Sequence, residues 1–337
     1  MAADSDLAEL LYRTGTAYRQ ARALLSAIEL DLFSVLASEP LSVDMLAVRI
    51  GIDRRGARDF FDALVALGLL IRTPDGPYQN TKATDLYLDK AKPSYLGGSF
   101  DQYSRREYDM WGSLTDALRT GRPRTVVNGS NHFDSIYNDP VRFQSFVNAM
   151  TAGSLLSARR IAEQFPWQRY ATLCDVGTAQ GCLPVQIALK HSNIEAIGFD
   201  LPELRPAFLR HVHDHALVDR VTFKAGSFFN EPLPEADVII FGRVLHNWDL
   251  ATKKMLLAKA YAALPKDGAV IVYDMLIDDE RSSDARGLLS SLNMLLWTSA
   301  GFGYTAADCI SWMHEAGFHG IYVEPLAGGN SMVVGTK

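Results

Sequence analysis

The run Thr172-Leu-Cys-Asp175-Val-Gly177-Thr-Ala-Gln-Gly181 decides the fold. Its apolar first half is short enough for a buried strand. Glycines at 177 and 181 supply the turn that follows, because glycine adopts backbone angles that other residues resist. Helical spacing then takes over at 183–190. The same order repeats downstream. Short β-branched runs at 194–199, 221–225, 236–241 and 269–273 alternate with helical stretches at 204–217 and 252–264. This alternation predicts a parallel sheet covered by helices on both faces. After a helix near 306–317, the segments 320–325 and 331–335 are expected to pair as a terminal hairpin, adding an antiparallel strand.

Upstream of this domain the pattern is different. Leu24, Leu25, Ile28, Leu32 and Leu36 recur at helical spacing. Ser42 is placed to cap a helix, and a second amphipathic helix runs from Ile52 to a terminating Gly68. A strand, a Pro-Asp75-Gly turn and a second strand follow. Helix, helix, hairpin is winged-helix order, and residues 1–92 read as one such domain. Its would-be recognition helix carries Arg54, Arg55 and Arg58, but also Asp53, Asp59 and Asp62. Residues 1–90 hold ten Lys/Arg against thirteen Asp/Glu. DNA affinity rests on neutralising phosphates, so a dimerisation module is favoured over a nucleic-acid reader. Residues 93–165 read as a helical bridge rich in aromatics, among them Tyr103, Tyr108, Trp111, Phe133, Tyr137, Phe143 and Phe146. The bridge is expected to form one wall of a pocket. Residues 166–337 form the sheet domain.

The 337 residues, 48% hydrophobic and 21% charged, suit a soluble protein of more than one domain. No apolar run approaches a membrane span. The acidic start, Met1-Ala-Ala-Asp4, lacks a secretory n-region. Cys174, Cys182 and Cys309 are an odd set without a C-x-x-C pair, which points to a reducing cytoplasm. The net charge of -6 argues against polyanionic partners.

In a parallel α/β sheet, ligands bind outside the carboxyl ends of the strands. Asp175 and the turn Gly177–Gly181 occupy that edge. A dinucleotide fingerprint counted from Gly177 would need glycine at 182, which is Cys182, and no phosphate-loop lysine is present. Asp200-Leu201 closes the second strand, where a carboxylate can accept both hydroxyls of a ribose. Gly226-Ser227-Phe228 follows the third, with Phe228 suited to lie on a purine. A ribose and a purine without a bound pyrophosphate point to S-adenosylmethionine.

His246 follows the fourth strand, at the same sheet edge, within Gly242-Arg243-Val-Leu-His246-Asn247-Trp248-Asp249. Neutral imidazole accepts protons near neutral pH, whereas a phenol of pKa near ~10 keeps its own. Asp274 ends the fifth strand and is placed to bind His246 and fix its tautomer. Asn247 is a second candidate for orienting the ring. His211 and His215 are one helical turn apart, but no second ligand segment accompanies them, so a solvated helix face is favoured over a metal site. Lys253-Lys254 and Arg281 read as surface charges.

With these motifs in order, the chain resembles the small-molecule O-methyltransferases of the caffeate, acetylserotonin and hydroxyindole type, and more closely their bacterial natural-product relatives. The likeness covers nearly the whole chain. It implies a Rossmann-like methyltransferase sheet of order 3-2-1-4-5-7-6 and a homodimer. It also implies metal-independent transfer to a hydroxyl of a small aromatic substrate, with His246 as base. By resemblance, Ser154, Gly177, Asp200, Leu201, Ser227, Phe228 and Arg243 contact the cofactor, alongside Asp175 and Gly181. Phe146, Met150, Asn293, Met294 and Trp297 fall where the family places its substrate pocket. Three departures stand out. Ala179 replaces a loop glycine, Ser227 stands where the family usually carries an acid after the third strand, which weakens the case for purine recognition, and Gly303-Tyr304 stands where plant members carry a glutamate that buttresses the histidine and an arginine. His246 is then left with Asp274 and Asn247. That change keeps other readings open: a non-methylating reaction such as decarboxylation, hydroxylation or a pericyclic step, methylation at carbon or nitrogen, or a cofactor-sensing regulator.

Overall fold

A computed structural model describes residues 2–74, 76–124, 136 and 139–337. Asp75 of the expected turn, and Phe133, Tyr137 and Asn138 of the aromatic segment, lie outside the described residues. The chain divides into two compact units, Met1–Asp109 and Met110–Lys337.

The first unit opens with the helix Ala2–Glu29, followed by Leu32–Leu36, Val43–Ile50 and Arg54–Ala66. Ser42 caps the third by accepting the Met45 N–H at 3.4 Å, and Asp53 caps the fourth by accepting that of Arg55 at 2.8 Å. Strands β1 (Leu70–Arg72) and β2 (Tyr78–Asn80) pair antiparallel as the wing. Leu32, Phe33, Leu46, Phe61, Leu64 and Tyr78 fill the core. Each such side chain contributes roughly 1.5–3 kcal/mol on burial. Two of the three arginines on the last helix are turned to acids: Arg54 lies 3.5 Å from Asp44 and Arg58 3.7 Å from Asp62. The first helix instead exposes Leu7, Leu10, Leu11 and Tyr12 to solvent.

The second unit is built on β3 (Thr172–Val176), β4 (Glu195–Asp200), β5 (Val221–Ala225), β6 (Val238–Gly242), β7 (Ala269–Asp274), β8 (His319–Pro325) and β9 (Ser331–Thr336). Their order across the sheet is β5-β4-β3-β6-β7-β9-β8. Counted within the domain, this is the 3-2-1-4-5-7-6 order that the resemblance implied. The first five strands run parallel, and β9 is antiparallel to both β7 and β8. Residues 238–241 of β6 and all of β7 are buried, because helices cover both faces. Val176, Phe199, Ile239, Phe241, Val270, Val272, Leu256 and Leu257 lie in one core. Asp175–Val176, Asp200, Gly242 and Asp274 therefore end four neighbouring strands on one rim.

Candidate active site

The turn after β3 is held by backbone geometry. Gly177, Ala179 and Gly181 all have left-handed φ, at 77°, 50° and 86°. A Cβ at Gly177 would stand 2.7 Å from Val244 Cγ2, so nothing larger than glycine fits there without displacing the loop that leads to His246. Ala179 tolerates its strained angle because its N–H donates to Asp200 Oδ2 at 2.8 Å. The Leu201 N–H donates to Oδ1 of the same carboxylate, also at 2.8 Å. Each oxygen keeps a further lone pair, and the side chain is only partly covered. Those two acceptors suit two adjacent hydroxyls. Burial pushes Asp200 up to about 6, with the two N–H donors opposing the rise. Asp175 is pushed up to about 7, first by burial, against the pull of the Thr178 hydroxyl, and further by the charge of Asp200.

The long helix Pro140–Gln164 lies over this turn. Gln180 Nε2 donates to Thr151 Oγ1 at 2.5 Å, and Cys182 Sγ approaches the Thr151 carbonyl at 3.6 Å. The end of the helix Cys182–Lys190 that would receive a pyrophosphate is thus covered by protein. Ser154, on the same long helix, meets the phenol of the buried Tyr273. Arg243 adopts φ 56° and donates its N–H to the Tyr273 carbonyl at 2.9 Å.

Past β5, the Ser227 N–H donates to Glu231 at 3.0 Å. Lys259 Nζ reaches from the helix Leu250–Ala263 to the carbonyls of Phe228, Phe229 and Glu231, at 2.6, 3.3 and 2.9 Å. Neither Glu231 nor Lys259 was singled out from sequence, since nothing in local spacing links residue 259 to this loop. The rings of Phe228 and Phe229 meet the edge of Trp248, whose indole Nε1 is buried without a partner.

His246 sits on a short 3-10 turn, Leu245–Asn247. Its Nδ1 bonds Asp274 Oδ1, and the other oxygen of Asp274 accepts the Tyr304 hydroxyl at 2.7 Å. Asp274 is 1% exposed. Asn247 donates to the carbonyls of Arg243 and Val244, at 3.1 and 3.3 Å, so it braces the turn that carries the ring. A Cβ at Gly303 would meet Ser291 Cβ at 2.9 Å, so a larger residue there requires its neighbours to shift. Tyr304 gives Asp274 a second hydrogen-bond partner beside His246.

Of the five expected pocket residues, Met294 and Trp297 are buried and Phe146, Met150 and Asn293 are half-buried. Asn293 accepts from Trp111 Nε1 at 3.1 Å. Phe146 packs with Val147, Leu204 and Ala207, in a cluster that also gathers Ala179 and Leu201, which puts it beside the turn.

Two sequence expectations are corrected. Lys253 is 0% exposed, while Lys254 pairs with Glu315 at 2.7 Å on the surface. Lys253 shares a helix face with Leu256, Leu257 and Ala260, all buried, so the spacing that marks a core face carried it inward. His213 is solvated, but His211 and His215 pack ring to ring at 4.5 Å, and burial lowers His211 to about 4.

The O-methyltransferase domain family matches residues 111–319, and the O-methyltransferase dimerisation domain family matches residues 12–90. The chain belongs to the O-methyltransferase family. It is 42% identical to the tetracenomycin polyketide synthesis 8-O-methyl transferase TcmO of Streptomyces glaucescens, over 95% of this chain and 94% of that one. It is 34% identical to the N,N-dimethyltransferase OxyT of Streptomyces rimosus, over 92% and 90%. The human N-acetylserotonin methyltransferase, solved in complex with SAM, superposes with a TM-score of 0.91 at 27% identity, covering 98% of this chain and 97% of that one. No described helix is long and apolar enough to cross a membrane.

Proposed function

We propose that this O-methyltransferase transfers a methyl group from S-adenosylmethionine to a hydroxyl oxygen of a small aromatic metabolite of polyketide type, with His246 as general base and without a metal. The observation that carries the reading is the bond from His246 Nδ1 to the buried Asp274. It fixes the ring and leaves Nε2 as the nitrogen able to take a proton. The name of the TcmO relative supports the polyketide class.

Bound at the rim, S-adenosylmethionine supplies an electrophilic methyl on a sulfonium. Asp200 is suited to its ribose hydroxyls, and Phe228 with Ser227 to its purine. Asp175, Gly177, Gly181, Leu201 and Arg243 are assigned to the floor of its site, and Ser154 to its amino-acid end. Met150, Asn293, Met294, Trp297 and Phe146 are assigned to the acceptor. His246 receives the hydroxyl proton as the oxygen becomes a nucleophile. Such base help is worth about 10²–10⁴ in rate, whereas holding reactants in line contributes on the order of 7–11 kcal/mol. Positioning therefore outweighs proton removal.

The test is to incubate the protein with S-adenosylmethionine and a panel of phenolic polyketide scaffolds, read by mass spectrometry. Expected are a product heavier by one methyl group, stoichiometric adenosylhomocysteine, and an unchanged rate in excess chelator. Cofactor left unconsumed while substrate changes would favour a non-methylating reaction. The OxyT relative supports a second reading, an amine acceptor. A neutral amine needs no base to attack, so that reading predicts an active His246→Ala variant. We further propose a homodimer, in which the exposed Leu7, Leu10, Leu11 and Tyr12 meet a second copy. Light scattering showing a monomer at micromolar concentration would remove it.

A further inference from the structure

Behind the His246–Asp274 pair lies a buried cation that the proposed reaction does not use. Lys253 is 0% exposed. Its ammonium donates to the Trp248 carbonyl and lies 3.3 Å from the ring centroid of Phe302 and 5.7 Å from that of Tyr304. A buried charge is costly unless it is compensated. One carbonyl and two aromatic faces compensate it only in part. The charge of the buried Asp274, whose carboxylate accepts the Tyr304 hydroxyl, also favours the ammonium. We propose that Lys253 and Tyr304 are positioning residues that set the working pH of the His246 base, by fixing the charge and orientation of Asp274. This rests on the reading of His246 as base.

The physical argument is one of sign. An ionised carboxylate beside an imidazole favours the imidazolium and so raises the pH at which the ring becomes a base. A second charge of opposite sign behind the carboxylate offsets that field without removing the hydrogen bond. Burial lowers Lys253 to about 8, against the attraction of Asp274 first and of Asp249 second, so it remains mostly charged at neutral pH. The other groups that face the pair do not replace it. Asp249 is exposed and caps its own helix at Thr252. Cys309, on the helix Ala306–Ala316, is held neutral because burial and the charges of Asp274 and Asp308 push its thiol up. Asp308 accepts the Thr305 N–H in a capping box. Burial and Asp274 likewise push the Tyr304 phenol up, so it stays a donor.

The test is the titration of the His246 ring, read by NMR on histidine-labelled protein and assigned by its loss in His246→Asn. In Lys253→Met the ring is expected to titrate higher by about one pH unit. The acid limb of kcat/KM should move with it. On that limb the rate at a fixed pH then falls about tenfold, while the rate on the alkaline plateau stays within about twofold. Tyr304→Phe should move the titration in the same direction by less and lower kcat with KM unchanged. Adenosylhomocysteine affinity, read by calorimetry, should stay at the parental value in both and reports folding. Should Lys253→Met fail to bind it, Tyr304→Phe carries the same readout. A His246 titration unmoved in a variant that binds normally overturns the proposal. A parental rate in His246→Ala would instead sink the base assignment, and with it the link to working pH, while the titration still reports the coupling of Lys253 and Tyr304 to the ring.

Discussion

The cofactor turn and the histidine pocket lie on one sheet rim, yet they are built in opposite ways. The turn is local. Gly177, Ala179 and Gly181 shape it within five residues, and Asp200, which accepts the Ala179 N–H, ends the adjacent parallel strand. The histidine pocket is not. His246, Lys253, Asp274, Phe302 and Tyr304 come from a 3-10 turn, a helix, a strand end and a loop. A locally built site is robust to change elsewhere, because its backbone donors are held by the sheet. A site gathered from several segments depends on each of them, as here, where Tyr304 from a loop donates to the strand-end Asp274 that holds His246.

Substitutions can break or sharpen this contrast. The largest effect is expected at the histidine. His246→Ala should lower turnover by about 10²–10⁴ while adenosylhomocysteine binds within about twofold of the parent, measured by stopped assay and calorimetry. A variant that lost both together would show that the two regions are not separable. Asp200→Ala should do the reverse. It removes an acceptor whose charged hydrogen bonds contribute about 1.5–3 kcal/mol each, so cofactor affinity should fall about tenfold to a hundredfold or more, with kcat at saturation little changed.

The pH dependence of binding comes next. Asp200 must be ionised to accept two hydroxyls, and its folded value of about 6 lies above the usual carboxylate range. Affinity for adenosylhomocysteine should therefore hold above pH 7 and weaken as pH falls through 6, by about tenfold per unit at the limit. Asp200→Asn should bind weakly and lose that slope; a slope that survives it would point to another group. The same raised values of Asp175 and Asp200 work the other way on the empty fold. Ionising them costs more folded than unfolded, so their contribution to stability is greatest below about pH 4 and declines as pH rises toward 6–7. The smallest effect is on the turn itself. Gly177→Ala meets both a φ of 77° and the Val244 methyl, and should cost about 1–2 kcal/mol of stability from the backbone alone. A calorimetric scan that found no loss would mean the turn is less constrained than its geometry indicates.

Much of this protein could be read from its residues one neighbourhood at a time. The alternation of strands and helices, the strand-end acids Asp175, Asp200 and Asp274, the turn glycines and the placement of His246 all follow from periodicity and from the rule that ligands gather at one sheet edge. These are short-range signals, and a parallel sheet converts them into a common rim. Tertiary packing alone decided the rest. Nothing in the local pattern says that Tyr304 donates to Asp274, that Lys259 ties down the Phe228 loop, or that Lys253 is buried. The spacing of Lys253 with Leu256, Leu257 and Ala260 pointed inward, and its charge argued outward. Which prevails depends on whether a distant carboxylate and an aromatic face are there to receive the ammonium, and only the folded chain supplies them.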